Sequence, residues 1–471
     1  MPFFCKNISL NKNTFIKSLA LRLLLGPLAF FSSSLAIASD MAPGSLSLQQ
    51  AVSLALQNNP LLLAEDARLD EALANSAQSN GMLMPRLNAA SGVSRSNSSM
   101  SSFAGKLLQQ RVTSADFAPA VLNNPSYLNN YHNRLTLEAP VYQGGRAWAA
   151  KDRAEQTEQA TRHQVALARQ QTIFAVVLAY TNVLRLQSRE DAAQSAVNAA
   201  ESHLRQTAAL LDRGIGIQSD ILDAQAHLSD TRLGLTQTRN ARLRAMDELN
   251  RQLGNGQPST MLVNAQSAPA IHLQGMNETM DADAIIAGHP RIAALERQLD
   301  AARAGISEAS AGLRPNVSLL AAQEWNSQTA SPRNPNTSIG AEVSINLFAG
   351  GSDMAARHAA QARFAHLQYQ LQDERQALRD ALLDAWRQLH EADEAAAARR
   401  DTLRQTAESL RIQKLRFEQG LEKSTDVLDA HTRNDRAVAN DIDARFNLTV
   451  SRAALLLAAG HLTPEVLNAA Q

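Results

Sequence analysis

Four aspartates stand in two matched pairs, Asp220 with Asp223 and Asp426 with Asp429, each pair opening a helical pattern just after Ser219 or Ser424. A carboxylate in the first turn of a helix complements the helix dipole by roughly 0.3–1 kcal/mol, which accounts for one aspartate per pair. The second lies three residues on and therefore on the same helical face. Gathered around a symmetry axis, such pairs would form an acidic ring that attracts cations and resists anions. Ser219 and Ser424 read as nearby helix caps. Chemistry of the covalent kind has no comparable constellation. The sequence contains no nucleophile elbow, phosphate loop or metal triad, so no catalytic residue, metal or cofactor is expected. His358 and His366 are eight residues apart, His203 and His227 stand alone, and all four read as solvated helix positions.

The two acidic pairs belong to one structural unit that the chain contains twice. Gly144 and Gly350, Gly214 and Gly420, and Asp223 and Asp429 are each separated by 206 residues. A constant offset over so many positions argues for two copies of one element. In each copy a strand-like stretch ends at a double glycine, Gly144-Gly145 or Gly350-Gly351, and a long Ala- and Arg-rich run follows to Gly214 or Gly420. Upstream the offset becomes 230, as in Leu69-Asp70 against Leu299-Asp300, so 24 extra residues lie between the post-proline segment and the double glycine of the first copy. The turn-rich stretch 96–130, against the shorter 326–337, is where they fall, and both read as loops joining two strands.

The long runs are helical and built to pair. Leu382, Leu389, Ala396, Leu403, Leu410 and Phe417 recur every seven residues, and the matching positions of the first copy are Val176, Val183, Glu190, Val197, Leu204 and Leu211. A seven-residue apolar period is the seam of a left-handed coiled coil. Each run of about 68 residues would be roughly 100 Å long at 1.5 Å per residue and would return through its tip glycine as an extended hairpin. Shorter helices precede each copy: one opens near Ser47, a plausible cap, and another runs from Leu61 to about Met84, stopped by Pro85 as its counterpart is stopped by Pro315.

Four segments alternate apolar and polar residues with period two, paired as 86–97 with 131–142 and 316–327 with 337–348. In the last, Ile339, Ala341, Val343, Ile345 and Leu347 share one face, against Gly340, Glu342, Ser344 and Asn346. Ten-residue segments of this kind are what a transmembrane barrel strand requires. Four strands cannot close a barrel, and an open edge in lipid leaves backbone groups unpaired, so several chains must contribute. Eight strands would leave an interior filled by side chains, while twelve from three chains would leave a pore. The sequence itself leaves the count open.

Composition narrows the setting. The 471 residues carry 45 basic and 45 acidic side chains, so no net basic field draws nucleic acid. Lys6, Lys12, Lys17 and Arg22, an apolar centre through Phe31 and Ala36-Ile37-Ala38 read as a signal peptide over 1–38, and the single cysteine, Cys5, lies inside it. Cleavage would leave an exported chain without disulfides or thiolate metal sites. The expected organisation is then a first repeat over 39–255 with its hairpin at 145–254, a connector at 256–283, a second repeat over 284–460 with its hairpin at 350–460, and a tail at 461–471.

This ordered duplication resembles the TolC-type outer-membrane factors of bacterial efflux and secretion systems. Ala51 through Asn59-Pro60, the helix-ending Pro85 and Pro315, the double glycines Gly144-Gly145 and Gly350-Gly351 and the two tips carry the resemblance, which spans essentially the whole mature chain. It implies a mixed α/β membrane protein in which four strands per chain build a twelve-stranded trimeric β-barrel, continuous with a long α-helical coiled-coil barrel through the periplasm. It also implies an adaptor and an inner-membrane pump as partners, with outer-membrane lipid around the barrel. Carried over residue by residue, the entrance would be closed by Asp426 and Asp429, faced by Ser219 and Asp220; the spacing of the acidic pairs adds Asp223 to it, and Glu422 stands beside them. The tips Gly214, Gly216, Gly420 and Leu421 would meet the adaptor. Some members hold the entrance shut with an arginine two residues after the tip glycine, where this chain has Glu422 followed by Lys423. A passive exit duct opened by its partners is therefore expected, with a soluble periplasmic coiled-coil scaffold as the alternative and an exported enzyme as a weaker one.

Overall fold

The computed structural model describes residues 46–214, 216–254, 269, 271–273 and 281–467, all within one unit, Ser45–Gln471. The expected leader at 1–38 and most of the expected connector at 256–283 lie outside the described residues. The chain begins with α1 (Leu48–Asn58) and α2 (Pro60–Asn80) and a 3-10 turn at Gly81–Leu83. Next come β1 (Arg86–Ser96), the short helices α3 (Ser99–Leu108) and α4 (Pro119–Asn123), β2 (Leu128–Gln143), and the hairpin of α5 (Arg146–Asp212) with α6 (Gln218–Gln252). The second half repeats the order with α7 (Ala282–Ala287), α8 (Pro290–Ser310), β3 (Asn316–Ser327), β4 (Pro335–Ser344), α9 (Ser352–Glu418) and α10 (Ser424–Ala458).

The duplication is closely kept. α2 and α8 have 21 residues each, α5 and α9 have 67, and α6 and α10 have 35. Neither α5 nor α9 contains a glycine or proline, which is why each runs unbroken for roughly 100 Å. Local caps repeat too. Asn59 accepts from Leu61 N and His289 accepts from Arg291 N, each ahead of a proline at the first helical position. At Ser47 the capping box is complete, with Ser47 and Gln50 each bonding the other's backbone.

Both double glycines adopt the left-handed region that an L side chain resists: φ is 63° and 85° at Gly144 and Gly145, and 62° and 83° at Gly350 and Gly351. Their surroundings differ. A Cβ at Gly144 would lie 2.6 Å from the carbonyl oxygen of Ala311, whereas a Cβ at Gly350 meets nothing within 4 Å. Alanine at either site costs about 1–2 kcal/mol of backbone strain, and at 144 a clash is added. Gly144→Ala is thus expected to lower the thermal midpoint of the detergent-solubilised protein more than Gly350→Ala. Equal shifts would show that the contact with Ala311 is not what fixes the first corner.

The main apolar core sits midway along the long helices, where α1, α5, α6, α9 and α10 meet. Val52, Val176, Val177, Leu249, Leu382, Leu455 and Leu456 are among its fully buried members, and Ile271 from the connector region joins them. Tyr180 donates its hydroxyl to the Leu46 carbonyl at 2.9 Å, tying the start of α1 to α5; burial pushes its phenol above the ordinary value. The seven-residue stripes are inside: Val176, Val183 and Val197 in α5, and Leu382, Leu389, Ala396, Leu410 and Phe417 in α9 are buried. Glu190, the polar break in the first stripe, accepts from Arg239 at 3.0 Å and Arg242 at 2.6 Å, both from α6. Partial burial pushes its carboxyl up, but these two charged hydrogen bonds outweigh that and leave it below the ordinary value.

Three expectations need correction. The fourth strand, expected over 337–348, runs Pro335–Ser344. Its partner β3 begins at Asn316, which faces Ser344, so this chain offers no strand for Ile345 through Phe348 to pair with. Asn346 instead donates to Asp353 at the start of α9. The stretch 96–130, expected as a loop, contains α3 and α4, and α3 is held to a 3-10 turn at Ser114–Phe117 by Lys106 on Asp116 at 2.5 Å and by a Phe103–Phe117 edge-to-face pair. Lastly, Ser219 and Ser424 do not cap their helices: the cap positions are Ile217 and Lys423, neither with a side-chain cap bond.

Candidate channel entrance

The sheet is a four-stranded antiparallel array in the order β1-β2-β3-β4, so β1 and β4 each have one unpaired edge. Its register aligns the alternation of all four strands. Leu87 faces Leu137, Leu137 faces Ala321 and Ala321 faces Ile339, giving one apolar row across the sheet. The next two rows on this face include Leu319 with Ala341, and Val317 with Val343. The other face carries Arg134 paired with Glu324 at 2.7 Å, together with Thr136, Glu138, Ser338 and Glu342. Pro140, which cannot donate a ladder bond, sits beside the bulge between Pro140 and Tyr142. The apolar face is uncovered in the single chain: Ile339 is 83% exposed, and Leu87, Leu137, Val141 and Val343 are exposed as well. A soluble half-buried sheet would cover that face.

At the opposite end of the long helices the two tips turn on glycine. Gly214 and Gly420 have φ of 75° and 73°. In the second tip Leu421 N donates to Arg416 O and Gly420 N to Phe417 O, at 2.9 Å each, a Schellman closure. Gly214, Gly420 and Leu421 are exposed and Gly216 is half-buried. Asp220 and Asp426 lie in the first turns of α6 and α10 and are half-buried, while Asp223 and Asp429, one turn further, are exposed together with Ser219. Glu422 is engaged within its own hairpin, 3.4 Å from Arg416. Ser424 is buried, with its hydroxyl 3.1 Å from His203 Nε2 of α5.

That contact overturns the reading of the histidines. His203 and His227 are neither isolated nor both solvated, because His431 of α10 lies within 6.2 Å of the first and 6.4 Å of the second, centroid to centroid. His203 and His431 are buried. The sequence did hold a signal for them. His203 follows Val197 and Ala200 and precedes Thr207 at seam spacing, and His431 follows Ser424 and Val427 in the same way, so both fall on the packed face of their helices. His358 and His366 are exposed on α9. Among the described residues no helix is long and apolar enough to cross a membrane, and no group of three or more His, Cys, Asp or Glu side chains is arranged to hold a metal ion.

A sheet with one face apolar and the other polar, open at both edges and continued through glycine corners into two coiled-coil hairpins, defines the class of outer-membrane channel with a long helical extension. The family model for outer membrane efflux proteins matches residues 51–255 and 282–461, and the chain belongs to that family. It is 24% identical over 380 residues to the alkaline protease secretion protein AprF of Pseudomonas aeruginosa, covering 78% of this chain and 74% of that protein. With the outer membrane protein TolC of Vibrio cholerae it shares 24% over 447 residues, covering 93% of this chain and 95% of the other. Among solved structures, CusC superposes with a TM-score of 0.75 at 18% identity, covering 88% of this chain and 92% of the other. The outer membrane protein VceC of Vibrio cholerae gives 0.74 at 18%, covering 88% and 96%. Members of the family are channels rather than enzymes.

Proposed function

We propose that the chain is one protomer of a trimeric exit duct in the outer membrane, serving a tripartite efflux or secretion system. Three sheets joined edge to edge, β4 of one protomer against β1 of the next, make a twelve-stranded barrel in which no backbone edge remains open to lipid. The row from Leu87 to Ile339 then faces lipid, and the face with Arg134, Glu138, Glu324 and Glu342 lines water. Pro85, Pro315 and the double glycines turn the chain from barrel strand into tunnel helix. The alternating sheet with two unpaired edges is the observation that carries this reading.

At the far end the entrance is ringed by Asp426 and Asp429, with Asp220, Asp223, Ser219 and Glu422 around them. The turns at Gly214, Gly216, Gly420 and Leu421 are where a periplasmic adaptor docks. Glu422 on Arg416 belongs to one hairpin, so it is a half-exposed internal pair contributing at most about 1 kcal/mol rather than a latch between protomers. The duct binds no nucleotide, and an inner-membrane pump supplies the energy. A soluble periplasmic scaffold leaves the apolar face of the sheet without a covering surface.

The test is fractionation of the expressed protein. A trimer that co-sediments with outer-membrane vesicles, resists detergent until heated and conducts ions in a planar bilayer is expected. A freely soluble monomer would overturn the proposal.

A further inference from the structure

Three helices bring histidines to one point in the seam between the two hairpins, just above the tips. His203 comes from α5, His227 from α6 and His431 from α10, and the His203 ring also packs 5.4 Å from Phe417 of α9. His431 Nε2 is buried and has no hydrogen-bond partner among the described residues. The charged groups facing the cluster are Lys414 from α9 and Asp435 from α10. His203 is joined directly to the tip through Ser424, the first residue of α10, two positions before Asp426.

We propose that this cluster is a proton-operated lock on the entrance, holding the hairpins packed while the rings are neutral and releasing them when His203 and His431 are protonated. The inference rests on the tips being the duct entrance. An imidazolium formed at His203 or His431 inside the seam would be desolvated and would face Lys414 and the other rings, while Asp435 faces His227 and Lys414 and is itself pushed up by burial. Opening the seam returns the rings to water and removes both penalties, so protons and the packed seam exclude one another. Because α10 starts at Ser424, a displacement of His203 from Ser424 moves the helix that carries Asp426 and Asp429.

Burial, then repulsion from His227 and Lys414, holds the His203 imidazole down to about 4 from its ordinary 6.5. Burial, then Lys414, His203 and His227, holds His431 down to about 3. Both groups are depressed in the packed state, so the opened state binds protons first as pH falls. The lock is at full strength above about pH 6.5 and weakens progressively as pH falls from there toward about 4 for His203 and about 3 for His431.

The experiment is the opening probability of the full-length protein in planar bilayers of phosphatidylethanolamine and phosphatidylglycerol, measured from about pH 7.5 to about pH 5. Wild type is expected to open about tenfold or more often at the acid end, with a slope approaching about two protons per opening. His203→Gln and His431→Gln should each reduce the slope to about one proton, and the double variant should lose the acid-side rise, the raised Asp435 leaving at most a weak slope of opposite sign. A conducting wild type whose opening ignores pH, or single variants that keep the full slope, would overturn the lock. The single variants decide the matter even if the double variant does not assemble. A wild type that conducts at no pH would instead strike at the duct reading.

Discussion

If Asp426 and Asp429 form the proposed acidic ring, alanine at both is expected to abolish most of the cation selectivity that the ring would confer and to weaken block by multivalent cations about tenfold or more. Two unit charges 10 Å apart interact by about 1.7 kcal/mol at an effective dielectric constant of 20, and each 1.4 kcal/mol is a factor of ten in affinity. Three protomers would remove six such charges from one constriction. The fold should survive the change. Asp426 contributes to its helix dipole roughly 0.3–1 kcal/mol, and Asp429 is exposed, so neither holds the seam together. Reversal potentials under a salt gradient and the concentration of trivalent cation that halves the current are the measurements. Unchanged values for both would remove Asp426 and Asp429 from the entrance. The matched change at Asp220 and Asp223 is expected to have the smaller effect. The second tip is braced, by Glu422 on Arg416 and by Ser424 on His203, whereas Ser219 stands exposed in the first. A braced pair holds its carboxylates at a fixed distance from the axis, which is what a selectivity ring needs.

What the sequence made legible follows from the length of each signal. The seven-residue stripes persist over six positions, so noise at one of them, such as Glu190, does not hide them, and α5 and α9 appear where they were expected. The glycine corners and tips were legible because a positive φ leaves few residue choices. The end of β4 was not, because alternation continues through Ile345 and Leu347 after the strand's partner has run out. Pairing, not pattern, ends a strand. α3 and α4 were not legible either, because helices of ten and five residues are too short to show a period. The histidine cluster was hidden for another reason. His203, His227 and His431 come from three helices and do not obey the 206-residue offset, so neither local spacing nor the internal repeat could bring them together. Only the packing of α10 on α5 does so. Ser424 misled in the same way: a serine at a helix start reads as a cap, yet its hydroxyl is spent on His203.

Arginine at Ile339 is expected to cut the amount of trimer recovered from the outer membrane at least about tenfold, whereas arginine at the adjacent Ser338 should leave it nearly unchanged. The two side chains leave the same strand in opposite directions. Ile339 lies in the row with Ala321 and Leu137, and Ser338 faces Ala322 beside Thr136 on the polar face. At the midplane of a bilayer a basic side chain on the lipid face costs about 2–4 kcal/mol, and the trimer carries three of them, while a lumen-facing one keeps its water. Isoleucine is the better strand former of the two, but the whole propensity scale spans only about 1 kcal/mol, less than the cost of placing the charge in lipid. A soluble scaffold predicts the reverse sense for Ile339. Exposing a charge in place of an isoleucine that is 83% exposed would improve its solubility and leave its fold intact. Recovery of heat-modifiable trimer from membranes, compared between the two variants at equal expression, separates these cases. Equal recovery of Ile339→Arg and Ser338→Arg would mean that the apolar row does not face lipid, and the barrel would have to be abandoned along with it.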